Sequence, residues 1–196
     1  MIKQKPANLE QLVEPDRVHR LCYTDQEIFE LELKNIFEKT WVYAGHESQV
    51  PKPGDYWTFD IGRQPMVLIR DKKNKVHVLY NRCPHRGIKL CANIHGNTGD
   101  KFHCSYHGWL FDLDGKLDSI PHLKGYDGTA LSLDNPEFSM LPAPRMESYR
   151  GFVFASLART GPSLLDWLGP SKAGFDDMCD RAPDGEVEVV PNCYRV

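Results

Sequence analysis

Short runs of alternating polar and apolar residues make up most of this chain, and one longer stretch breaks the rhythm. Ile28, Phe29, Leu31, Leu33, Ile36 and Phe37 recur at helical spacing and give a broad apolar face. Thr24-Asp-Gln-Glu27 just before them reads as a capping box, with Thr24 as N-cap and Glu27 at the third position. The pattern predicts a helix from 24 to about Lys39. From Trp41 onward the period shortens. Trp41–Ala44, Tyr56–Ile61, Pro65–Arg70, Val76–Tyr80, Lys101–Cys104, Leu110–Leu113 and Gly151–Leu157 read as strands, separated by turns such as Lys52-Pro-Gly-Asp55 and Asp112-Leu-Asp-Gly115. The expected fold is mainly β, a compact antiparallel domain preceded by an N-terminal helix. Leu164–Leu168 after Pro162-Ser163 predicts a short helix and Phe175–Arg181 a second. Glu186-Val-Glu-Val-Val190 alternates like a strand opening a new sheet.

Three parts are expected: a helical segment over 1–40, a β domain over 41–158, and a linker leading into something further over 159–196. The 196 residues are 41% hydrophobic and 26% charged, ordinary for one soluble globular domain with flanking pieces. No repeat or low-complexity segment stands out. The start, Met-Ile-Lys-Gln-Lys-Pro, holds no apolar stretch that could be a signal peptide, and no later run approaches membrane length. A bacterial cytoplasmic protein with neither membrane nor nucleic-acid partner is expected.

The six cysteines divide unevenly. Cys22, Cys91, Cys179 and Cys193 show no paired spacing and read as free, mostly buried thiols. Cys83-Pro-His85-Arg-Gly87 and Cys104-Ser-Tyr-His107-Gly-Trp109 each offer one thiolate and one imidazole, one residue apart in the first and two in the second. That set matches a Rieske 2Fe–2S centre, where two Cys hold one iron and two His the other. Replacing two thiolates by neutral imidazoles removes negative charge from the cluster. An added electron is then accepted more readily, and the potential rises from about −400 mV to between about −150 and +300 mV. Such a protein moves single electrons. Zinc also accepts two Cys and two His, although the one-residue gap is tight for a zinc knuckle. Buried core Cys with incidental His is the other alternative.

Flanking residues bear on the loops. Pro84, Gly87 and Gly108 permit tight bends that turn amide N–H groups toward sulfur. Tyr106 is placed either to shield the cluster, with its hydroxyl on a sulfur, or simply to pack. Trp109 reads as an apolar wall beside His107 or as a core residue of the following strand. Arg86, between His85 and Gly87, reads as a support for the cluster loop.

The region Cys83–His107 resembles the Rieske domain of the large subunits of bacterial aromatic-ring-hydroxylating oxygenases, the naphthalene- and benzoate-dioxygenase type. Pro53-Gly54-Asp55-Tyr56, Val67–Asp71, Asn81-Arg82-Cys83, Phe102–Trp109, Gly151-Phe-Val-Phe154 and Asp166-Trp-Leu-Gly169 extend the likeness over most of 20–170. The 18-residue spacer between His85 and Cys104 is slightly long and suggests an insertion around Asn93–Asp100. The resemblance implies a Rieske-type fold with two cluster-binding loops, and Cys83, His85, Cys104 and His107 as ligands. Respiratory Rieske proteins carry a further, disulfide-bonded Cys in each loop; Ile88 and Tyr106 stand there here, which suits a reducing cytosol.

In that family an α+β catalytic domain follows, holding a mononuclear Fe(II) on two His and a carboxylate. This chain stops at Tyr194-Arg-Val196, where such a domain is expected to begin. His19, His46, His77, His95, His103 and His122 are scattered, and only His103 has a fourth-neighbour His, the ligand candidate His107. No catalytic residue is therefore expected in this chain, which reads as the electron-accepting part of an oxygenase. The resemblance implies a ferredoxin or NAD(P)H-dependent reductase as donor, an aromatic small-molecule substrate, and a homotrimer or α3β3 hexamer. A free-standing Rieske-type ferredoxin is the alternative. Net charge is −3, yet residues 71–110 carry seven basic side chains (Lys72, Lys73, Lys75, Arg82, Arg86, Lys89, Lys101) against Asp71 and Asp100. These form either a shelf that steers an acidic donor or an ordinary solvated hairpin.

Overall fold

The computed structural model describes residues 9–190. A two-residue hairpin, β1 (Val13–Glu14) and β2 (Arg17–Val18), leads into a single helical turn, α1 (Leu21–Thr24), and then α2 (Gln26–Glu32). The N-cap of α2 is Asp25, one residue later than expected. Thr24 sits in the last turn of α1, whereas Asp25 is extended (φ −92°, ψ 123°) and accepts from the amides of Glu27 and Ile28. Past Glu32 the helix widens into a π turn over Leu33–Phe37. Only Ile28 and Leu33 of its apolar face are buried; Phe29, Leu31, Ile36 and Phe37 stay exposed. An ion pair from Glu30 to Arg63 ties the helix to the sheet.

The strands follow: β3 (Val42–His46), β4 (Asp55–Ile61), β5 (Gln64–Arg70), β6 (Val76–Tyr80), β7 (His95–Asn97), β8 (Phe102–His103), β9 (Leu110–Phe111), β10 (Leu117–Ser119), β11 (Arg145–Tyr149) and β12 (Phe152–Ser156). The sheets are antiparallel: β6-β5-β4-β7 in the middle, β10-β9-β8 on one side, β11-β12-β3 on the other. Seven of the eight strands expected from the alternation are present. β7, β10 and β11 were not expected, and β7 accounts for the long spacer by adding an edge to β4.

β5 is why three layers hold together. Its Met66 and Leu68 enter a core with Ala44, Ile61, Val78, Val153 and Ala155, while Val67 and Ile69 enter a second core with Leu79, Phe102, Trp109 and Phe111. All four β5 side chains are fully buried, so the run is apolar on both faces and does not alternate. Each such burial is worth roughly 1.5–3 kcal/mol.

Helix α3 (Leu164–Leu168) forms where expected, with Ser163 as cap, and seats Leu164 and Leu168 on Trp41 and Phe154. Helix α4 spans Lys172–Cys179, three residues earlier than expected at its start and two at its end. The expected strand over Glu186–Val190 does not form. It forms no ladder with any described strand; Val189 N–H instead donates to Ser48 Oγ at 3.0 Å, and Val190 is exposed. Cys91 and Cys179 are buried, Cys22 is partly buried, and Cys193 lies outside the described residues. No helix among the described residues is long and apolar enough to cross a membrane.

The β5–β6 turn is organised by Asp71. Its Oδ1 accepts from the amides of Lys73 (2.8 Å) and Lys75 (2.9 Å), and its Oδ2 accepts from His77 Nε2 (2.9 Å). Burial pushes the Asp71 carboxyl up, but the His77 and backbone hydrogen bonds outweigh it, so its pKa lies below the usual value. A carboxylate with a depressed folded pKa contributes stability above its unfolded pKa, and that contribution is lost as pH falls through the folded value. Asp71→Asn should therefore cost about 1–2 kcal/mol at neutral pH. The gap to the parent, read from urea midpoints, should close as pH drops below the normal aspartate range. A gap that persists unchanged into acid would show that the charge on Asp71 contributes nothing.

Candidate metal centre

The two motif loops have the same backbone frame. In the first, Cys83 N–H donates to the Ile88 carbonyl (2.9 Å) and Gly87 N–H to the Cys83 carbonyl (2.8 Å). In the second, Cys104 N–H donates to the Trp109 carbonyl (2.9 Å) and Gly108 N–H to the Cys104 carbonyl (2.9 Å). Each frame needs a left-handed residue four positions after the Cys, met by Gly87 (φ +72°) and Gly108 (φ +73°). The histidine sits third in one frame and fourth in the other, yet the His85 and His107 rings meet edge to face with centroids 4.6 Å apart.

Beneath the tips, Cys83 and Cys104 are each 1% exposed and belong to the same apolar core as Val67, Ile69 and Phe111. The Cys104 side chain is close enough to the Cys83 thiol to raise its pKa. Burial pushes the Cys83 thiol up to about 11; the His85 and Arg86 amides, bonded to its sulfur, pull it down, and Cys104 pushes it up again. Two thiolates this close in an apolar site need a cation between them. Burial, helped by His107 and Arg86, holds His85 below the usual imidazole value and favours the neutral, ligand-competent form.

The donors thus sort by chemistry, sulfur with sulfur below and imidazole with imidazole above. A single tetrahedral zinc would draw all four donors to one point. Two pairs suit two metal ions. The His85 Nδ1 atom is buried without a hydrogen-bond partner, alone among the described side-chain N and O atoms. A buried neutral imidazole nitrogen with no proton donor beside it keeps a lone pair available to a metal ion. The residues present therefore fit a binuclear iron–sulfur group.

Trp109 is fully buried and stacks on His85, not His107, with centroids 4.8 Å apart and rings 5° from parallel. It is at once a wall of the site and a core residue packed near Phe111 and Phe138. Tyr106 is 58% exposed and lays its ring over His107 at 3.8 Å, so it shields that imidazole. Among the described residues its hydroxyl makes no hydrogen bond to a sulfur. Arg86 supports the loop through its amide; its guanidinium is exposed and makes no hydrogen bond or ion pair among the described residues.

The basic run divides in space. Lys72, Lys73 and Lys75 occupy the β5–β6 turn, at the opposite end of β6 from the Cys83 loop and separated from it by about 17 Å of strand. Lys72 faces Asp100 at 3.4 Å, and Lys101 pairs with Asp118 and Asp112. Arg82, Arg86 and Lys89 remain on the cluster loop. One residue that ligand spacing does not single out is Asn81, buried at the root of the first loop; the sequence marks it only as part of the Asn81-Arg82-Cys83 stretch that carries the family resemblance.

A family model for the Rieske [2Fe-2S] domain matches residues 40–139, just over half of the chain. The chain belongs to the Rieske [2Fe-2S] family. The group these domains carry is a 2Fe–2S cluster. The benzene 1,2-dioxygenase α subunit of Pseudomonas putida is 38% identical over 180 residues, covering 91% of this chain and 38% of that protein. The anthranilate 1,2-dioxygenase large subunit of Acinetobacter baylyi is 40% identical over 179 residues, 89% of this chain and 36% of that protein. Among solved structures, naphthalene 1,2-dioxygenase from Rhodococcus sp. superposes with a TM-score of 0.76 at 34% identity, over 82% of this chain and 36% of that one. A quaternary ammonium Rieske monooxygenase gives 0.73 at 31% identity over 82% of this chain and 45% of that one. The chain thus spans well under half the length of the relatives it matches.

The shared loop frame predicts an ordering of two alanine substitutions. At Gly87 an added Cβ meets nothing, so Gly87→Ala carries only the left-handed backbone cost, about 1 kcal/mol. At Gly108 the Cβ would stand 3.0 Å from Pro121 Cγ, adding a steric cost for a total of roughly 2–3 kcal/mol. Denaturant midpoints should rank parent, Gly87→Ala, Gly108→Ala. Equal losses at both sites would remove Pro121 as the reason.

Proposed function

We propose that this chain is the electron-transfer portion of a Rieske oxygenase large subunit, with residues 41–158 as the cluster-holding unit. Cys83 and Cys104 would hold one iron of a 2Fe–2S cluster, and His85 and His107 the other. The observation that carries the assignment is the segregation of two thiols and two imidazoles into separate pairs on one loop frame. When bound, the cluster supplies one-electron transfer at a potential raised by its imidazole ligands.

The chain's own residues do the rest. The amides of His85 and Arg86 bond the Cys83 sulfur, and such donors favour the more negative, reduced form. Trp109 fixes the His85 ring, and the buried core keeps water from the sulfur side. His107 and the Tyr106 ring above it form the exposed flank of the site, where an electron has the shortest path out. A ferredoxin or NAD(P)H-dependent reductase would supply electrons, and a mononuclear non-haem iron elsewhere in the parent protein would receive them for oxygen insertion. An aromatic substrate is the reading the names of the dioxygenase relatives support, and those relatives are oxygenase α or large subunits and not free ferredoxins; a homotrimer or α3β3 parent is part of the same proposal.

Purified without oxygen, the chain should carry two irons and two acid-labile sulfides and be reddish-brown. Cys83→Ser and Cys104→Ser should each lose the colour and the iron, whereas Cys91→Ser should keep both, because Cys91 is a core thiol whose pKa burial raises to about 12. Stoichiometric zinc without visible absorption would defeat the assignment. A further expectation is that the isolated chain, given reductase and NADH, forms no hydroxylated aromatic; product matched to NADH consumption would overturn the reading of this segment as electron transfer alone.

A further inference from the structure

The two loops are closed at their roots by different means. The second is a true hairpin: β8 and β9 pair through Phe102↔Phe111 and His103↔Leu110 directly below Cys104 and Trp109. The first has no such ladder. β6 ends at Tyr80, and the returning segment after Lys89 is not a strand until β7. What stands in the gap is the side chain of Asn81.

Asn81 is 1% exposed, and its own N–H is pinned to the Pro65 carbonyl of β5 at 2.8 Å. Its carboxamide reaches across the root of the loop. Oδ1 accepts from Leu90 N–H (3.0 Å) and Cys91 N–H (2.9 Å), and Nδ2 donates to the Cys91 carbonyl (2.8 Å). A carboxamide has the same donor and acceptor as a peptide unit, so these three bonds reproduce a strand ladder where no second strand is available. Asp offers the acceptor without the donor. Ala leaves two amides and a carbonyl buried and unpaired.

We infer that Asn81 is a positioning residue that closes the Cys83–Leu90 loop, and through it sets where Cys83 and His85 stand relative to the rigid second loop. The inference rests on the proposed cluster ligation for its electronic consequence but not for its structural one. Asn81 ties both ends of the loop to β5: its backbone holds the outgoing end and its side chain the returning end. The second loop, fixed by its own strands, is the fixed partner. Loosening Asn81 therefore displaces one ligand pair against the other.

The test compares the parent with Asn81→Ala and Asn81→Asp in the purified chain. Hydrogen exchange read on peptides spanning 83–92 should accelerate by at least about tenfold in Asn81→Ala, and less in Asn81→Asp, which keeps two of the three bonds. Peptides spanning 102–111 should be unchanged. In cluster-loaded protein the same variants should shift the reduction potential and the rhombic paramagnetic resonance of the reduced centre in the same order. If Asn81→Ala fails to fold, Asn81→Asp carries the comparison alone. Unchanged exchange over 83–92 in either soluble variant, or equal acceleration in both loops, overturns the inference. Faster exchange over 83–92 in Asn81→Ala, in a protein whose parent binds no iron, would leave the Asn81 closure standing and defeat the cluster assignment instead. Faster exchange with an unaltered potential and resonance in loaded protein would overturn the link from Asn81 to the ligands.

Discussion

Everything at the metal centre depends on seating two cysteines from separate loops in one apolar core. Cys83 and Cys104 are buried beside Val67, Ile69, Trp109 and Phe111, and that core exists because β5 is covered on both faces. Apolar surroundings make isolated thiolates costly, so the pair is stable either as thiols or around bound metal. The same burial excludes water from one side of the site and leaves only the imidazole side near solvent. A polarity of this kind, closed at sulfur and open at histidine, is what a one-electron relay needs if its charge is to leave by a defined edge.

The frame around the donors is economical. One hydrogen-bond pattern, repeated at Cys83 and Cys104 with a left-handed glycine in each, brings two histidines from different positions to within contact. Trp109 and Tyr106 then divide the work, one buried against His85 and one half out over His107. Family membership and the similarity to oxygenase α subunits agree with this geometry. The chain spans only 38% of the benzene dioxygenase subunit, so oxygenase activity belongs to the proposal and not to this geometry.

Elements whose pattern is local were legible in advance. β3, β4, β5, β6 and α3 carry enough apolar residues in the right period, and each forms within about two residues of its expected place. β7, β10 and β11 were not legible, because His95–Asn97 and Leu117–Ser119 are three residues each and Arg145–Tyr149 is mostly polar; they are strands only through the neighbours they pair with. Glu186–Val190 errs in the opposite sense. It has the alternation of a strand but no ladder with any described strand, and a strand needs both. At the helix start, Thr24 met the spacing of a cap, but α1 had already taken its backbone.

The sequence by itself determined which donors are offered, two thiols and two imidazoles in motifs that match the proposed cluster, and put glycines where the loops turn left-handed. Those are properties of residue type and short spacing, and they survive without knowledge of the fold. Only the tertiary structure decided how the donors pair, that Trp109 lies on His85, and that Asn81 substitutes for a missing strand. It also carried the hairpin lysines away from the loops, since the segments at the two ends of β6 are separated by the length of the strand. Distance along a chain translates into distance in space only within a turn or two; beyond that, strand direction and core packing decide which side chains meet.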